Sequence, residues 1–378
     1  MLKAAFQRTM SGTFTQIAVC QLTSDHDIER NVDICKDMVE RASFRNCKMV
    51  FFPECFDFVG RSKEENIALA SEEQGESYRS FARQYGIWIS LGGFHNKDSS
   101  EPQLPWNSHI VIDNDGKTRA LYNKLHLFDI EIPGKVRLME SEFSKKGTKV
   151  VPPVETPVGR LGLSICYDLR FAELALWNRQ RGADILSYPS AFTLNTGLAH
   201  WETLLRARAI ESQCYVVAAA QTGKHNEKRF SYGHSMVVDP WGVVIAQCSE
   251  RVDMCFADVD LSYVDELRSM QPVFAHRRAD LYTLHVNEFD VETPLKFGEF
   301  PISNDTIFYR SAYSFAFVNL KPVLNGHVLV SPKRVCYHLT DLSDAETADL
   351  FIVSKKVQKM LEKVTNEKFV PTVHVGVK

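Results

Sequence analysis

A thiol, a carboxylate and an amine carry the first chemical signal in this chain. The thiol is Cys166, within Arg160-Leu-Gly-Leu-Ser-Ile-Cys-Tyr-Asp-Leu-Arg170. Leu161, Leu163 and Ile165 alternate as a short buried strand does, and Phe171 to Arg181 reads as a helix with Gly182 as its stop. Cys166 therefore sits where a strand turns into a helix, at the carboxyl end of a sheet, where α/β proteins place their chemistry. Sulfur there can form a covalent acyl intermediate with an amide or ester. A free Cys is more often a small buried hydrophobe, but Tyr167, Asp168 and Arg170 crowd this one with polar groups that an inert core Cys does not need.

A Cys nucleophile needs a base to take its proton and a positive group for the oxyanion. Glu54 follows Pro53 at the end of a buried run, and its neighbours Phe51 and Phe52 suit a carboxylate tuned for base work. Lys124 follows the strand that ends at Tyr122-Asn123. Taken singly, Glu54 is an ordinary loop acid and Lys124 a solvated surface cation. Taken together, each follows the carboxyl end of a separate apolar strand, so the three are expected to meet on one edge of one sheet.

The elements that must position them are legible as periodicity. Gln16–Leu22 alternates as a first strand, and Ser24 with Asp27 reads as a capping box. Ile28, Val32, Cys35, Val39 and Ala42 then mark one helical face. Strands are expected at Lys48–Phe52 and Ile87–Phe94, with a helix at Ser77–Tyr85 between them. His109–Asp113 and Thr118–Tyr122 flank Asn114-Asp-Gly116, a hairpin signal. Leu125–Gly147 has little periodicity and reads as a long loop of the functional kind. Beyond Cys166, strands are expected at Asp184–Tyr188 and Tyr215–Ala220, a helix at Leu198–Gln213, and a hairpin of Ser235–Asp239 with Val243–Gln247. This alternation is that of an α/β layered domain.

The chain has 378 residues, 44% of them hydrophobic and 24% charged, which describes a globular protein of more than one domain. A formal charge of −3 provides no field for nucleic acid or an anionic membrane, and no run is long enough to span a bilayer. The 9 cysteines are scattered, with no Cys-x-x-Cys pair, so the reading is a reducing compartment with no zinc site and no other cofactor. Residues 1–16 carry Lys3 and Arg8 and no acid, which leaves a mitochondrial pool open beside a cytoplasmic one.

Three segments carry a family likeness: Phe52-Pro-Glu-Cys-Phe56, Tyr122-Asn-Lys-Leu-His-Leu-Phe128 and Ser164-Ile-Cys-Tyr-Asp-Leu-Arg-Phe171. They resemble the three motifs of the nitrilase, or carbon–nitrogen hydrolase, superfamily, and most of all its Nit branch. Tyr188-Pro-Ser-Ala-Phe192, the run His200–Ile210 and the run Tyr232–Gly242 agree with it. The resemblance implies an αββα sandwich in which Cys166 is the nucleophile, Glu54 the general base and Lys124 the stabiliser of the tetrahedral intermediate. It implies Glu140 as an assisting carboxylate, with the adjacent Glu142 as its competitor. It further implies an oxyanion contact from the backbone N–H of Tyr167 and either a substrate carboxylate or a structural ion pair for Arg170. The substrate implied is a small amide, deaminated glutathione, cleaved by a homo-oligomer. A catalytically weak Nit scaffold and a thiol redox sensor are the competing classes, and amide turnover separates them from an amidase.

Past an acidic, threonine-proline stretch the pattern changes. The expected division is an extension over 1–13, the nitrilase-like domain over 14–287, a linker over 288–300 and a smaller α+β unit over 301–378. In that unit, strands are expected at Thr306–Phe308, Ser314–Val318 and His327–Val330, and Ser343 with Glu346 forms a capping box before a long amphipathic helix. Phe315-Ala-Phe-Val-Asn319 and Gly326-His-Val-Leu-Val330 resemble the Fhit branch of the histidine-triad (HIT) proteins, which implies a nucleotide near Asn319, His327 and His374. The whole order resembles the invertebrate fusions of a Nit and a Fhit domain, whose full-length members are tetramers. The family's His-x-His-x-His strand is departed from: this chain reads His374-Val-Gly-Val-Lys378, without the middle nucleophile. The HIT-like unit is accordingly expected to be truncated or degenerate, with no hydrolysis of diadenosine triphosphate.

Overall fold

The computed structural model describes residues 14–71, 74–97, 104–132, 136–282, 284, 286, 295–323 and 326–365. It divides into two units, Met1–Gly147 with Val151–Leu284, and Thr148–Val150 with His285–Lys378.

In the first unit the elements run β1 (Thr15–Leu22), α1 (Ile28–Phe44), β2 (Met49–Phe51), α2 (Lys63–Leu69), α3 (Gln74–Tyr85), β3 (Trp88–Asn96), β4 (Trp106–Ile112), β5 (Thr118–Asn123), β6 (Asp129–Ile132) and β7 (Val136–Met139). They continue through β8 (Val154–Thr156), β9 (Gly159–Leu163), α4 (Ala172–Gln180), β10 (Ile185–Ser187), α5 (Leu194–Ser212), β11 (Tyr215–Ala218), β12 (Ala220–Lys224) and β13 (Phe230–Tyr232). β14 (Met236–Val238), β15 (Val244–Gln247), β16 (Asp253–Val259) and α6 (Leu261–Met270) complete it.

Two sheets form. The larger has the order β13-β12-β1-β2-β3-β4-β5, with β16 also on β1, and the smaller has the order β15-β14-β11-β10-β9-β8. Strand alternation decides what each face meets. Ala18, Cys20, Leu22, Val50 and Ile89 face outward onto Cys35, Met38, Val39 and Ala42 of α1 and Tyr78, Phe81 and Ala82 of α3. Their neighbours Ile17, Val19, Met49, Phe51, Ser90 and His109 point the other way and are equally buried, because the second sheet covers them. His109 ties the layers: its Nδ1–H donates to Ser164 O at 3.1 Å, and Ser90 Oγ donates to Nε2 at 2.6 Å. Burial holds this imidazole neutral, with its pKa pushed down to about 4. α4 and α5 pack on the outer face of the smaller sheet, α5 through buried Trp201, Leu205 and Ala209. The result is the nitrilase-type αββα sandwich.

Local chemistry departs from the sequence reading at several points. Asp27, not Ser24, caps α1, accepting from Arg30 N at 3.1 Å. Ser24 is buried instead, and its Oγ donates to Phe56 O. The expected loop over Leu125–Gly147 contains the β6–β7 hairpin and a 3₁₀ turn at Glu140–Glu142, short pieces whose alternation was too brief to register. β16 and α6 lie beyond the elements that periodicity marks.

The second unit contains the hairpin of β17 (Lys296–Phe297) with β18 (Phe300–Pro301), then β19 (Ile307–Arg310), β20 (Ser314–Val318), β21 (Val328–Pro332) and α7 (Asp344–Thr365). Leu295 and Phe297 lie within the stretch read as linker, yet they pack on Phe315 and Phe317 of the β19-β20-β21 sheet. On the other face, Ala316 meets Val353 and Val357 of α7. The capping box is present: Glu346 N donates to Ser343 Oγ at 3.3 Å and Ser343 N to Glu346 Oε2 at 2.8 Å. No helix among the described residues is long and apolar enough to cross a membrane.

Candidate active site

Glu54, Lys124, Glu140 and Cys166 come together in the first unit. Glu54 and Lys124 follow β2 and β5 of the larger sheet, and Cys166 follows β9 of the smaller one. The expectation of one edge of one sheet is therefore corrected. The cluster forms across the sandwich, where strand ends of two facing sheets converge.

Lys124 sits at the centre, 1% exposed. Its Nζ donates to Glu54 Oε1 at 2.8 Å and to Glu140 Oε2 and Oε1 at 2.8 and 3.0 Å. Asn107, at the start of β4, donates its amide to the same two carboxylates at 2.9 and 3.0 Å. Phe128 N–H adds a bond to Glu140 Oε2 at 2.8 Å. Glu142, the competitor in sequence, is instead a surface residue paired with Arg137 and Lys63. Buried ions persist only when paired and hydrogen-bonded, and this set is both.

Cys166 opens a 3₁₀ turn, Cys166–Arg170, with φ +46°. A non-glycine residue in the left-handed region is strained by about 1–2 kcal/mol, so the surroundings must hold it there. Asp168 does much of this. Wholly buried, it accepts from Ile165 N at 2.8 Å, Tyr122 Oη at 2.7 Å and His126 Nδ1 at 2.7 Å. Cys166 N–H is spent on Pro189 O at 2.8 Å. Tyr167 is next in the turn, and the first N–H groups of a helical turn have no acceptor within it. The turn thus offers a donor beside the thiol.

The thiol and the Glu54 carboxylate act on each other's protonation. Burial pushes the Cys166 pKa well up and Glu54 adds to this, while Lys124 and the Ala191 N–H oppose it. Burial favours the neutral form of Glu54, but Lys124, with smaller help from the thiol and Arg229, holds the carboxyl below its usual range. Lys124 is held firmly charged, because Glu140 and Glu54 overcome its own burial. The resting pair is therefore thiol and carboxylate, the pair a general-base mechanism starts from.

Arg170 stands on the same turn. It meets His200 Nδ1 at 3.3 Å and lies over the rings of Tyr167 and Phe192, with no carboxylate partner among the described residues. In the second unit, the Asn319 amide meets His327 Nε2 at 3.2 Å, and Val323 N–H donates to His327 Nδ1 at 3.1 Å. His374 lies outside the described residues. Sequence reading missed Asn107, His126 and Arg229, since strand-start and loop polar residues have no period to single them out.

Glu54 also depends on Gly93 of β3. Gly93 has φ +76°, and a Cβ there would lie 2.7 Å from Glu54 Cα and 2.8 Å from its Cγ. The Cα cannot step aside without moving the Pro53–Cys55 turn. Gly93→Ala is expected to lower kcat by about 10²-fold, the penalty of misplacing a reacting group by about 1 Å. Steady-state kinetics on folded variant checks this, and unaltered kcat would show that Glu54 tolerates displacement.

The fold, with a cysteine elbow facing a buried carboxylate–amine cluster, is that of a hydrolase sandwich. Residues 16–269 match the family model described as carbon–nitrogen hydrolase, and the chain belongs to that family. Residues 302–378 match the HIT domain model. The chain is 70% identical to the nitrilase and fragile histidine triad fusion protein NitFhit of Caenorhabditis elegans over 97% of its own length and 84% of the relative's. The crystal structure of the C. elegans NitFhit protein superposes with a TM-score of 0.75 at 69% identity, covering 96% of this chain and 89% of that one. Human deaminated glutathione amidase is 51% identical over 70% of this chain and 83% of the relative. The chain is thus a nitrilase-superfamily amidase with a C-terminal HIT domain.

Proposed function

We propose that the first unit hydrolyses deaminated glutathione through a thioester on Cys166. The observation that carries this reading is the buried Lys124 bridging Glu54 and Glu140, with the Cys166 thiol close enough to shift with Glu54 and Lys124. Glu54 takes the Sγ proton as sulfur attacks the amide carbonyl. Lys124 and the Tyr167 N–H receive the developing oxyanion. Glu54 returns the proton to the departing nitrogen, the C–N bond breaks and the amine leaves. A water, deprotonated by Glu54, then cleaves the thioester and restores the thiol. Glu140 keeps Lys124 charged and aimed throughout. The substrate assignment is supported by the names of the mammalian relatives at about half identity. Incubation with deaminated glutathione should release the keto acid and Cys-Gly. No release, together with no acyl adduct on Cys166 across an amide panel, would discard the reading in favour of a scaffold.

The HIT unit is assigned no triphosphatase activity, because Gly376 stands where the resemblance calls for the nucleophilic imidazole. Diadenosine triphosphate is expected to survive incubation with the purified protein. Turnover that His374→Ala abolishes would overturn this.

A further inference from the structure

Arg229 ends the loop between β12 and β13, and nothing in the reaction above uses it. The loop is pinned. Asn226 Oδ1 accepts the N–H groups of Lys228 and Arg229, both at 2.9 Å, and Asn226 Nδ2 donates to Gly60 O at 3.1 Å. His225 is buried, bonded through Nδ1 to Ser24 O and through Nε2 to Ser231 Oγ, both at 2.8 Å. Arg229 therefore projects from a fixed base, half-buried.

Its guanidinium is poorly satisfied. Among the described residues its one partner is the Cys55 sulfur at 3.8 Å, a weak acceptor for a group with five N–H donors. Cys55 is itself held in the left-handed region, at φ +55°, directly after Glu54. On its other side Cys55 acts on His95, which Asp57 grips at 2.9 Å. Burial disfavours charge on His95, but Asp57 outweighs it and pushes the imidazole pKa up to about 10. The Cys55 sulfur thus stands between two cations and offers neither a carboxylate. Cys55 directly follows Glu54, so the guanidinium that meets its sulfur lies one residue from the carboxylate of the cluster, and its charge helps hold that carboxyl below the usual range. A fixed, half-buried guanidinium with spare donors beside a reaction centre fits a planar anion, which carboxylate supplies bidentately.

We propose that Arg229 binds a carboxylate of the substrate and makes the site selective for anionic amides over neutral ones. The inference rests on the amidase reading and names the substrate class of that site. Arg170, on the nucleophile's own turn, is a second guanidinium without a carboxylate partner among the described residues. A purely structural role for Arg229, bracing the turn at Cys55, would not distinguish an anionic amide from a neutral one.

The test is binding, independent of turnover. Glutaramate and pentanamide have the same carbon chain and differ in the distal carboxylate. Their affinities are measured by calorimetry on the full chain carrying Cys166→Ala, alone and combined with Arg229→Gln or Arg229→Lys. The expected result is tighter binding of glutaramate, an advantage that falls about 10- to 100-fold with Arg229→Gln and is partly recovered with Arg229→Lys. Circular dichroism confirms that each variant is folded. Absence of a preference for the anion, or a preference that survives Arg229→Gln, overturns the proposal. Turnover of either amide by the unmodified protein bears separately on the amidase reading.

Discussion

Cys166→Ala is expected to lower amide turnover by about 10⁴-fold or more while leaving the fold intact. The side chain is small and 9% exposed, and its removal leaves the Glu54 carboxylate its bonds from Lys124 and Asn107. Stability should therefore change by little, and the loss belongs to chemistry. Cys166→Ser is expected to be nearly as poor, since a hydroxyl is far harder to deprotonate than a thiol by the same carboxylate. Intact-mass measurement supplies a second readout: slow amides should leave an acyl adduct on the parent and none on Cys166→Ala. Residual turnover above about 1% in the Ala variant would mean that water attacks the amide directly and that the thiol is not the nucleophile.

Lys124→Met should damage both stability and rate. Methionine fills a similar volume without charge and leaves Glu54 and Glu140 buried without their cation. Breaking a buried ion network from one side is expected to cost about 3–5 kcal/mol, or about 10 °C in Tm. Loss of the oxyanion's positive partner should lower kcat by a further 10²–10³-fold, roughly. The stability deficit should also depend on pH. In the parent the Glu54 pKa is depressed, so its contribution is complete above the unfolded carboxyl pKa and is lost as pH falls through the folded value. In the variant Glu54 can relieve its burial by taking up a proton. The Tm gap between parent and variant should consequently narrow from pH 7 to pH 4. A gap that is constant or widens on acidification would show that Lys124 acts by packing and not by charge.

Much of this protein was legible before any coordinates. Leu161-Gly-Leu163 followed by a polar turn and a helix marked the elbow, and the structure has β9, the 3₁₀ turn and α4 there. The apolar faces of α1 and α7 were visible as spacings of three and four, and the Ser343–Glu346 cap as a pair of types. These signals are local: periodicity and capping are set by residues within one or two turns of each other. The β6–β7 hairpin escaped because four-residue strands contain too few alternations to stand above a loop.

What the sequence by itself determined was the inventory: a carboxylate, an amine and a thiol, each at the end of an apolar strand, and two units of different tone. What the tertiary structure alone decided was their meeting place. Two of the three ends belong to one sheet and the third to its partner, so the cluster exists because the sheets stack. Lateral pairing within the larger sheet brought Asn107 beside Glu54 and set Arg229 beside Cys55, and the β6–β7 hairpin delivered Glu140 rather than Glu142 to the cluster. Those contacts join residues far apart in the chain, and no local pattern encodes them. They form because pairing and burying the strands is favourable, and because ions withdrawn from water in that process must find one another.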